Sequence, residues 1–427
     1  MATQVTPPRG MRDFLPAEKA GREHALGVIR RSFAAHGFDE IETPVMEDSA
    51  RLHSGLGGDN EKLGFAVLKR GLAPADALAA AESGDLLGLT DLGLRFDLTV
   101  PLARFYATHR AALPTVFRAI QIAPVWRAER PQKGRYRQFV QCDIDIIGEA
   151  GPLAEIELLT ATADTFAAIG LTGCTFRIND RRLLIGMLET LGFAAESHDQ
   201  VLITIDKLDK VGQDGVVAEL RERGFDAAAV DALDDFFRRP QLLEQPSFGE
   251  QAIRTALPAG VDAAVVAELA GIGLAVAGGQ VEFDPFLVRG MGYYTGTIFE
   301  IVHPDLPYSL GGGGRYDGMI GRFLGVDVPA AGFSIGFERI VDLVRLRDDE
   351  SAGGVALVYD SDVTSATLMQ LKAELIASGR RVRLERAPRN PKPLLAQLAA
   401  SGFVEIATVS ASAATVADLR MRKLAAG

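Results

Sequence analysis

Val125-Trp-Arg-Ala-Glu-Arg-Pro-Gln-Lys-Gly-Arg-Tyr-Arg-Gln-Phe-Val-Gln-Cys-Asp-Ile-Asp-Ile-Ile-Gly148 is the stretch on which the reading of this chain turns. Pro131 to Gly134 is a turn signal between two strand-like runs. In the second run Val140, Cys142, Ile144 and Ile146 alternate with Gln141, Asp143 and Asp145. A strand would therefore turn one apolar face inward and set two carboxylates and an amide on the other. Between Arg127 and Arg137 five basic residues stand against one acid, Glu129. A guanidinium matches phosphate oxygens bidentately, so such a hairpin can grip a phosphate. A solvated charged hairpin would account for the arginines alone. It does not account for the carboxylates beside them.

Four further segments carry candidate chemistry. In Leu94-Arg-Phe-Asp-Leu-Thr-Val-Pro101 the alternation predicts a strand. That strand would put Arg95, Asp97 and Thr99 on one face, about 6–7 Å apart in steps of two. Leu287-Val-Arg-Gly-Met-Gly-Tyr-Tyr-Thr-Gly-Thr-Ile-Phe-Glu300 sets Arg289 among apolar residues and glycines, where backbone can approach a ligand closely. Gly311-Gly-Gly-Gly-Arg-Tyr-Asp-Gly318 reads as a mobile or ligand-hugging loop. Ala330 to Asp342 reads as strand, turn and helix, with Arg339 in the first helical turn, where it could face an anion. Its Gly332-x-Ser334-x-Gly336 has the form of a hydrolase nucleophile elbow. That reading fails, because the triad needs a later histidine and the last one is His303. There is no Gly-x-x-x-x-Gly-Lys-Ser/Thr loop and no strand-borne Gly-x-Gly-x-x-Gly, so any nucleotide is handled by arginines on a sheet.

The frame around these segments is an ordinary globular one. At about 150 residues per domain, 427 residues imply two or three domains. With 48% hydrophobic and 24% charged residues, disorder is excluded. Two cysteines, Cys142 and Cys174, exclude a disulfide framework and a cysteine zinc site. No secretory pattern opens the chain and no apolar run reaches membrane length, so a cytoplasmic protein without membrane contact is expected. The net charge is -11, but residues 353–427 carry 10 basic and 6 acidic side chains, a local balance of +4 that leaves -15 elsewhere. Helices are expected over 17–36, 71–90 and 152–169, and a strand over Phe38–Pro44. A polar-faced helical insertion or spacer without a chemical cluster is expected over about 186–280. After a linker at 346–353, strands and helices alternate from Val355 to Val409, as in a small parallel α/β unit.

Six segments in order resemble the histidyl-tRNA synthetase family of class II aminoacyl-tRNA synthetases. Pro8–Pro16 is similar to its N-terminal segment, Gly37–Pro44 to motif 1 and residues 125–148 to motif 2. Leu287–Glu300 and Gly313–Asp317 resemble the two histidine-specific motifs, and Gly332–Arg339 resembles motif 3. The resemblance implies an α+β fold, a class II synthetase-like antiparallel sheet flanked by helices. The catalytic domain would span 1–345, with the helical insertion inside it, and 354–427 would be an α/β anticodon-binding-like domain. It implies histidine contacts at Asp97, Leu98, Thr99, Gln141, Asp145, Tyr293, Tyr294 and Tyr316. ATP would meet Arg127, Arg135, Arg289 and Arg339, with Arg127 and Arg289 catalytic and tRNA at Arg130, Gln132 and Lys133. The implied partners are L-histidine, ATP with Mg²⁺ on ligands not assigned, tRNA(His) and a second copy in a homodimer. Three departures stand out. Gly292 occupies a place where many family members have Asp, the stretch from Phe65 is longer than usual, and the tail is short with no clear strand after Val409. The alternative is the catalytically silent relative that regulates ATP phosphoribosyltransferase.

Overall fold

The structure is a computed structural model, and it describes residues 5–53, 63–131, 134–239, 248–290, 292–341, 343–344 and 354–424. Two compact units are present, one of residues 1–12 and 25–345, the other of 13–24 and 346–427. Helix α1 (Pro16–Ala35) contributes its first half to the second unit. Its second half buries Ala25, Leu26, Ile29 and Phe33, the apolar spacing read in the sequence, and ends at Gly37 with φ of 83°.

The first unit is built on an eight-stranded sheet, fed by smaller elements early in the chain. These are β1 (Asp39–Glu40), β2 (Met46–Asp48), α2 (Ser49–His53), β3 (Phe65–Leu68), α3 (Pro74–Ser83), β4 (Thr90–Leu94) and α4 (Thr99–His109). Next come β5 (Phe117–Trp126), β6 (Gln138–Ile147), α5 (Leu153–Ala168) and β7 (Thr175–Asp180). Six helices follow: α6 (Arg181–Thr190), α7 (His198–Ile205), α8 (Leu208–Glu222), α9 (Ala227–Phe237), α10 (Glu250–Ala256) and α11 (Ala263–Ala275). The unit closes with β8 (Gln280–Phe283), β9 (Thr297–Val302), β10 (Gly311–Arg315), α12 (Asp317–Leu324), β11 (Ala330–Gly336) and α13 (Phe337–Ile340). The sheet order is β1-β5-β6-β11-β10-β9-β7-β8. Its six central strands pair antiparallel, and β1 and β8 add a parallel edge on each side. This is the α+β sheet that the motifs predict.

Several expectations are corrected. Leu94–Pro101 is not a strand, because β4 ends at Leu94 and α4 starts at Thr99. Arg95 therefore leaves the face of Asp97 and donates to the carbonyls of Thr43 (2.8 Å) and Pro124 (3.0 Å). The predicted strand over Phe38–Pro44 shrinks to β1. The glycine run is not a loop but the central strand β10. Neighbouring backbones pass so closely that a Cβ at Gly313 would collide with the carbonyl oxygen of Gly332 and with Phe299. The helical stretch has a polar outer face and an apolar inner one. Val201, Leu202, Ile205, Val216, Leu220, Leu233 and Phe236 are buried in one cluster with Phe96, Val100, Tyr293, Tyr294 and Tyr316. The inserted helices thus share their core with the strand ends and loops of the cleft described below, and a spacer would not.

The second unit has the alternation expected of the tail: β12 (Gly354–Tyr359), α14 (Ser365–Ala377), β13 (Val382–Arg386), α15 (Pro391–Ala400) and β14 (Phe403–Val409). Its order is β13-β12-β14-β15, parallel except at the last pair. The final strand missing from the sequence reading is β15 (Met421–Lys423), three exposed residues antiparallel to β14. A strand so short and polar has no hydrophobic alternation to announce it. The core is Val355, Leu357, Leu371, Leu375, Ala407 and Val409.

Candidate active site

One face of the central sheet carries a cleft of about 230 Å³. Its floor is the backbone of Gly311, Gly312 and Gly313 together with Gly332, and its walls are side chains of β6, β11 and the loops before α4 and β9. The floor must be bare. A Cβ at Gly312 would collide with the guanidinium of Arg289, and one at Gly332 with the Asp145 carboxylate.

Acids and tyrosines line part of the cleft. On β6 the alternation works as read: Gln141, Asp143 and Asp145 point into the cleft, and Cys142, Ile144 and Ile146 are buried on the opposite face. Tyr316 donates its hydroxyl to Asp145 Oδ1 at 2.6 Å. Tyr293 packs between Tyr294 and Tyr316, at 4.8 Å and 6.0 Å between ring centroids. Asp97 accepts the amide of Val100 at the start of α4 through Oδ1, which leaves Oδ2 without a partner. Burial pushes the Asp145 carboxyl up to about 7, against the hydrogen bond from Tyr316. Burial, then the neighbouring Asp145, pushes Asp143 well above the ordinary carboxylate range. Asp97 is also raised by burial, with Arg127 opposing.

Four arginines line it as well. Arg127 is anchored by Nε to the carbonyl of Phe96 (2.9 Å), with its guanidinium 5.1 Å from the Phe139 ring. Arg339 donates to the carbonyl of Ser309 at 2.6 Å. Arg135 lies 3.4 Å from Glu129. Arg289 pairs with Glu300 on β9 at 2.9 Å, while its Nε is buried without a partner. Burial lowers the Arg339 pKa, and Arg135, Arg289 and Arg127 lower it further. Four guanidiniums that repel one another in a partly buried cleft call for an anion of several charges.

The structure thus gathers Asp97, Thr99, Gln141, Asp145, Tyr293, Tyr294, Tyr316, Arg127, Arg135, Arg289 and Arg339 around one cavity. Leu98 does not join them. It is wholly buried in the core, and its carbonyl accepts from Gln121. Arg130 is exposed outside the cleft, and Gln132 and Lys133 lie outside the described residues. Sequence reasoning missed the partners that orient the arginines. Glu300 and Glu129 lie inside the quoted segments, so a charge of opposite sign near each arginine was the available signal. Asp206, at the end of α7, had none. Its carboxylate lies 3.3 Å from where a Cβ on Gly290 would stand and acts electrostatically on Arg289. Among the described residues no group of three or more His, Cys, Asp or Glu side chains is placed to hold a metal ion.

An antiparallel sheet whose cleft sets arginines against buried carboxylates, with no P-loop, defines the catalytic unit of a class II aminoacyl-tRNA synthetase. The family model described as histidyl-tRNA synthetase matches residues 10–340. The chain belongs to the histidyl-tRNA synthetase family. It is 62% identical to a histidine--tRNA ligase of Leifsonia xyli subsp. xyli over 98% of this chain and 99% of the relative. A probable histidine--tRNA ligase of Tropheryma whipplei (strain Twist) is 44% identical, covering 94% of each. Among solved structures, a histidyl-tRNA synthetase from Nostoc sp. PCC 7120 has the same fold, with TM-score 0.74 at 23% identity over 99% of this chain and 95% of that one. A Bacillus halodurans protein described as an ATP phosphoribosyltransferase regulatory subunit/histidyl-tRNA synthetase shares the fold at TM-score 0.72 and 20% identity, over 93% of this chain and 97% of that one.

Proposed function

We propose that the chain joins L-histidine to tRNA(His) in two steps, using ATP to form a histidyl-adenylate that the tRNA then consumes. The observation that carries this reading is the lining of the cleft, which brings buried carboxylates and tyrosines together with four arginines in one cavity. An amino acid and a nucleoside triphosphate laid end to end satisfy both. The histidine imidazole lies against Asp145, Tyr293, Tyr294 and Tyr316, and its ammonium against Asp97, Thr99 and Gln141. The triphosphate lies against Arg127, Arg135, Arg289 and Arg339. In the first step a carboxylate oxygen of histidine attacks the α-phosphorus, and the bond to pyrophosphate breaks. In the second a terminal hydroxyl of the tRNA attacks the carbonyl carbon, and AMP leaves. The carboxylate is already a nucleophile, so the first step needs no protein base. Catalysis is positioning plus stabilisation of charge by Arg127 and Arg289. Among the described residues neither Cys nor His lines the cleft, which agrees with this.

Magnesium fits only as a companion of the nucleotide. Glu129 and Glu338 are the carboxylates in the phosphate half, and two carboxylates with substrate phosphates are a usual Mg²⁺ environment. Arg130, Gln132 and Lys133, at the tip of the basic hairpin, are assigned to the tRNA. A homodimer is supported by exposed apolar side chains on and beside the β2-β4-β3 sheet, namely Val45, Met46, Leu68 and Leu92. No helix among the described residues is long and apolar enough to cross a membrane, and a tRNA substrate supports a cytoplasmic setting. The test is transfer of labelled histidine to tRNA(His). We expect acid-precipitable label that depends on both ATP and the tRNA, and label independent of either would contradict the assignment.

A further inference from the structure

Among the described residues, four side-chain atoms are buried without a hydrogen-bond partner: Asp97 Oδ2, Gln141 Oε1, Asp143 Oδ1 and Arg289 Nε. All four belong to residues that line the cleft. Three are acceptors and one is a donor. A buried polar atom left without a partner is destabilising, so four on residues of one cavity point to a ligand of matching polarity.

Asp143 lies inside the motif 2 segment, but neither the resemblance nor the proposed contacts give it a role. It is 5% exposed, and its strand position sets it between Gln141 and Asp145. Across the sheet it pairs with Ser334 of β11 and Gln121 of β5. Ser334 Oγ accepts from Gln141 Nε2 at 2.9 Å, and its hydroxyl is then free to donate to Asp143. This one hydroxyl therefore fixes two groups. It holds the Gln141 amide by its nitrogen and leaves the amide oxygen without a partner. It also occupies one side of the Asp143 carboxylate and leaves Oδ1 without a partner.

From this arrangement we propose that Asp143 is a substrate-binding residue, supplying the third acceptor, beside Asp97 and Gln141, for the ammonium group of the amino-acid substrate. An alkylammonium has three N–H donors and no acceptor. Three partnerless acceptor atoms on residues that line one cleft, two of them carboxylate oxygens, match that count and that charge. The single orphan donor, Arg289 Nε, matches an anionic oxygen at the other end of the same ligand. Thr99, beside these acceptors, is also hydrogen-bonded to Tyr293. The inference rests on the proposed histidine site and adds a residue to it.

The test compares two probes on the full-length protein by titration calorimetry: L-histidine, and imidazolepropionate, which is the same molecule without the ammonium. Asp143→Asn keeps the side-chain volume and removes the charge. We expect it to weaken L-histidine by about 10- to 100-fold, as for a charge-assisted hydrogen bond, and to change imidazolepropionate less than about threefold. Ser334→Ala, which frees both clamped groups, is expected to shift the two probes in the same selective way. Equal weakening of both probes would mean a structural or imidazole-facing role and would overturn the proposal. So would unchanged histidine binding in Asp143→Asn. Wild-type protein that binds neither probe would defeat the histidine site itself, an outcome distinct from either of these. If Asp143→Asn fails to fold, the Ser334→Ala pair of titrations decides.

Discussion

Arg289 sits between Glu300 on β9 and Asp206 at the end of α7, and these charges raise its pKa against the desolvation of a partly buried site. It faces the cleft with an unused Nε, so its contribution falls where charge develops. We expect Arg289→Ala to lower the rate of adenylate formation by about 100- to 1,000-fold while changing histidine affinity little. Single-turnover kinetics beside equilibrium binding separate the two effects, and a loss confined to affinity would remove Arg289 from the chemistry. Asp145 gives a prediction of definite sign. Its ordinary pKa of 3.8 rises to about 7 on folding, so the folded state holds a proton that the unfolded state has released. Stability from that group is complete below about pH 4 and is lost as pH rises through about 7. Asp145→Asn removes the titration. Unfolding temperatures should favour the variant over the wild type by more at pH 7.5 than at pH 5.5, and a pH-independent difference would refute the shift. Site residues are legible where a strand alternates, as at Gln141, Asp143 and Asp145. Arg95 is misread because alternation over six residues does not distinguish a strand from a strand end followed by a helix.

At the scale of elements, β10 is the informative case. Four glycines in a row carry no hydrophobic pattern and read locally as a loop. Only the packing of β9 and β11 against them, with a collision awaiting any Cβ at Gly313, makes them a strand. Gly313→Ala should therefore lower stability by roughly 1–3 kcal/mol or more, as overpacking does, even though alanine is ordinarily no worse than glycine in a strand. Thermal unfolding checks this, and an unchanged midpoint would mean that the strands can move apart. The inserted helices teach the opposite lesson. Their helical character is legible, but their buried face is not, because the partners, Phe96, Val100 and Tyr316, are distant in sequence.

At the scale of the molecule, the acidic total of -11 hides a basic hairpin and a tail of +4. Neutralising Arg130 and Lys133 should weaken tRNA binding and reduce the slope of log affinity against log salt by about 0.7–0.9 for each phosphate that is no longer neutralised. An unaltered slope would move the tRNA-binding surface elsewhere. The central claim is that one cleft activates histidine with ATP before any tRNA is present. The direct measurement is exchange of labelled pyrophosphate into ATP, with purified protein and Mg²⁺ and without tRNA. We expect exchange that depends on L-histidine and is abolished in Arg127→Ala. A well-folded protein that binds histidine and shows no exchange would contradict it, and would favour a regulatory relative that has kept the pocket and lost the reaction.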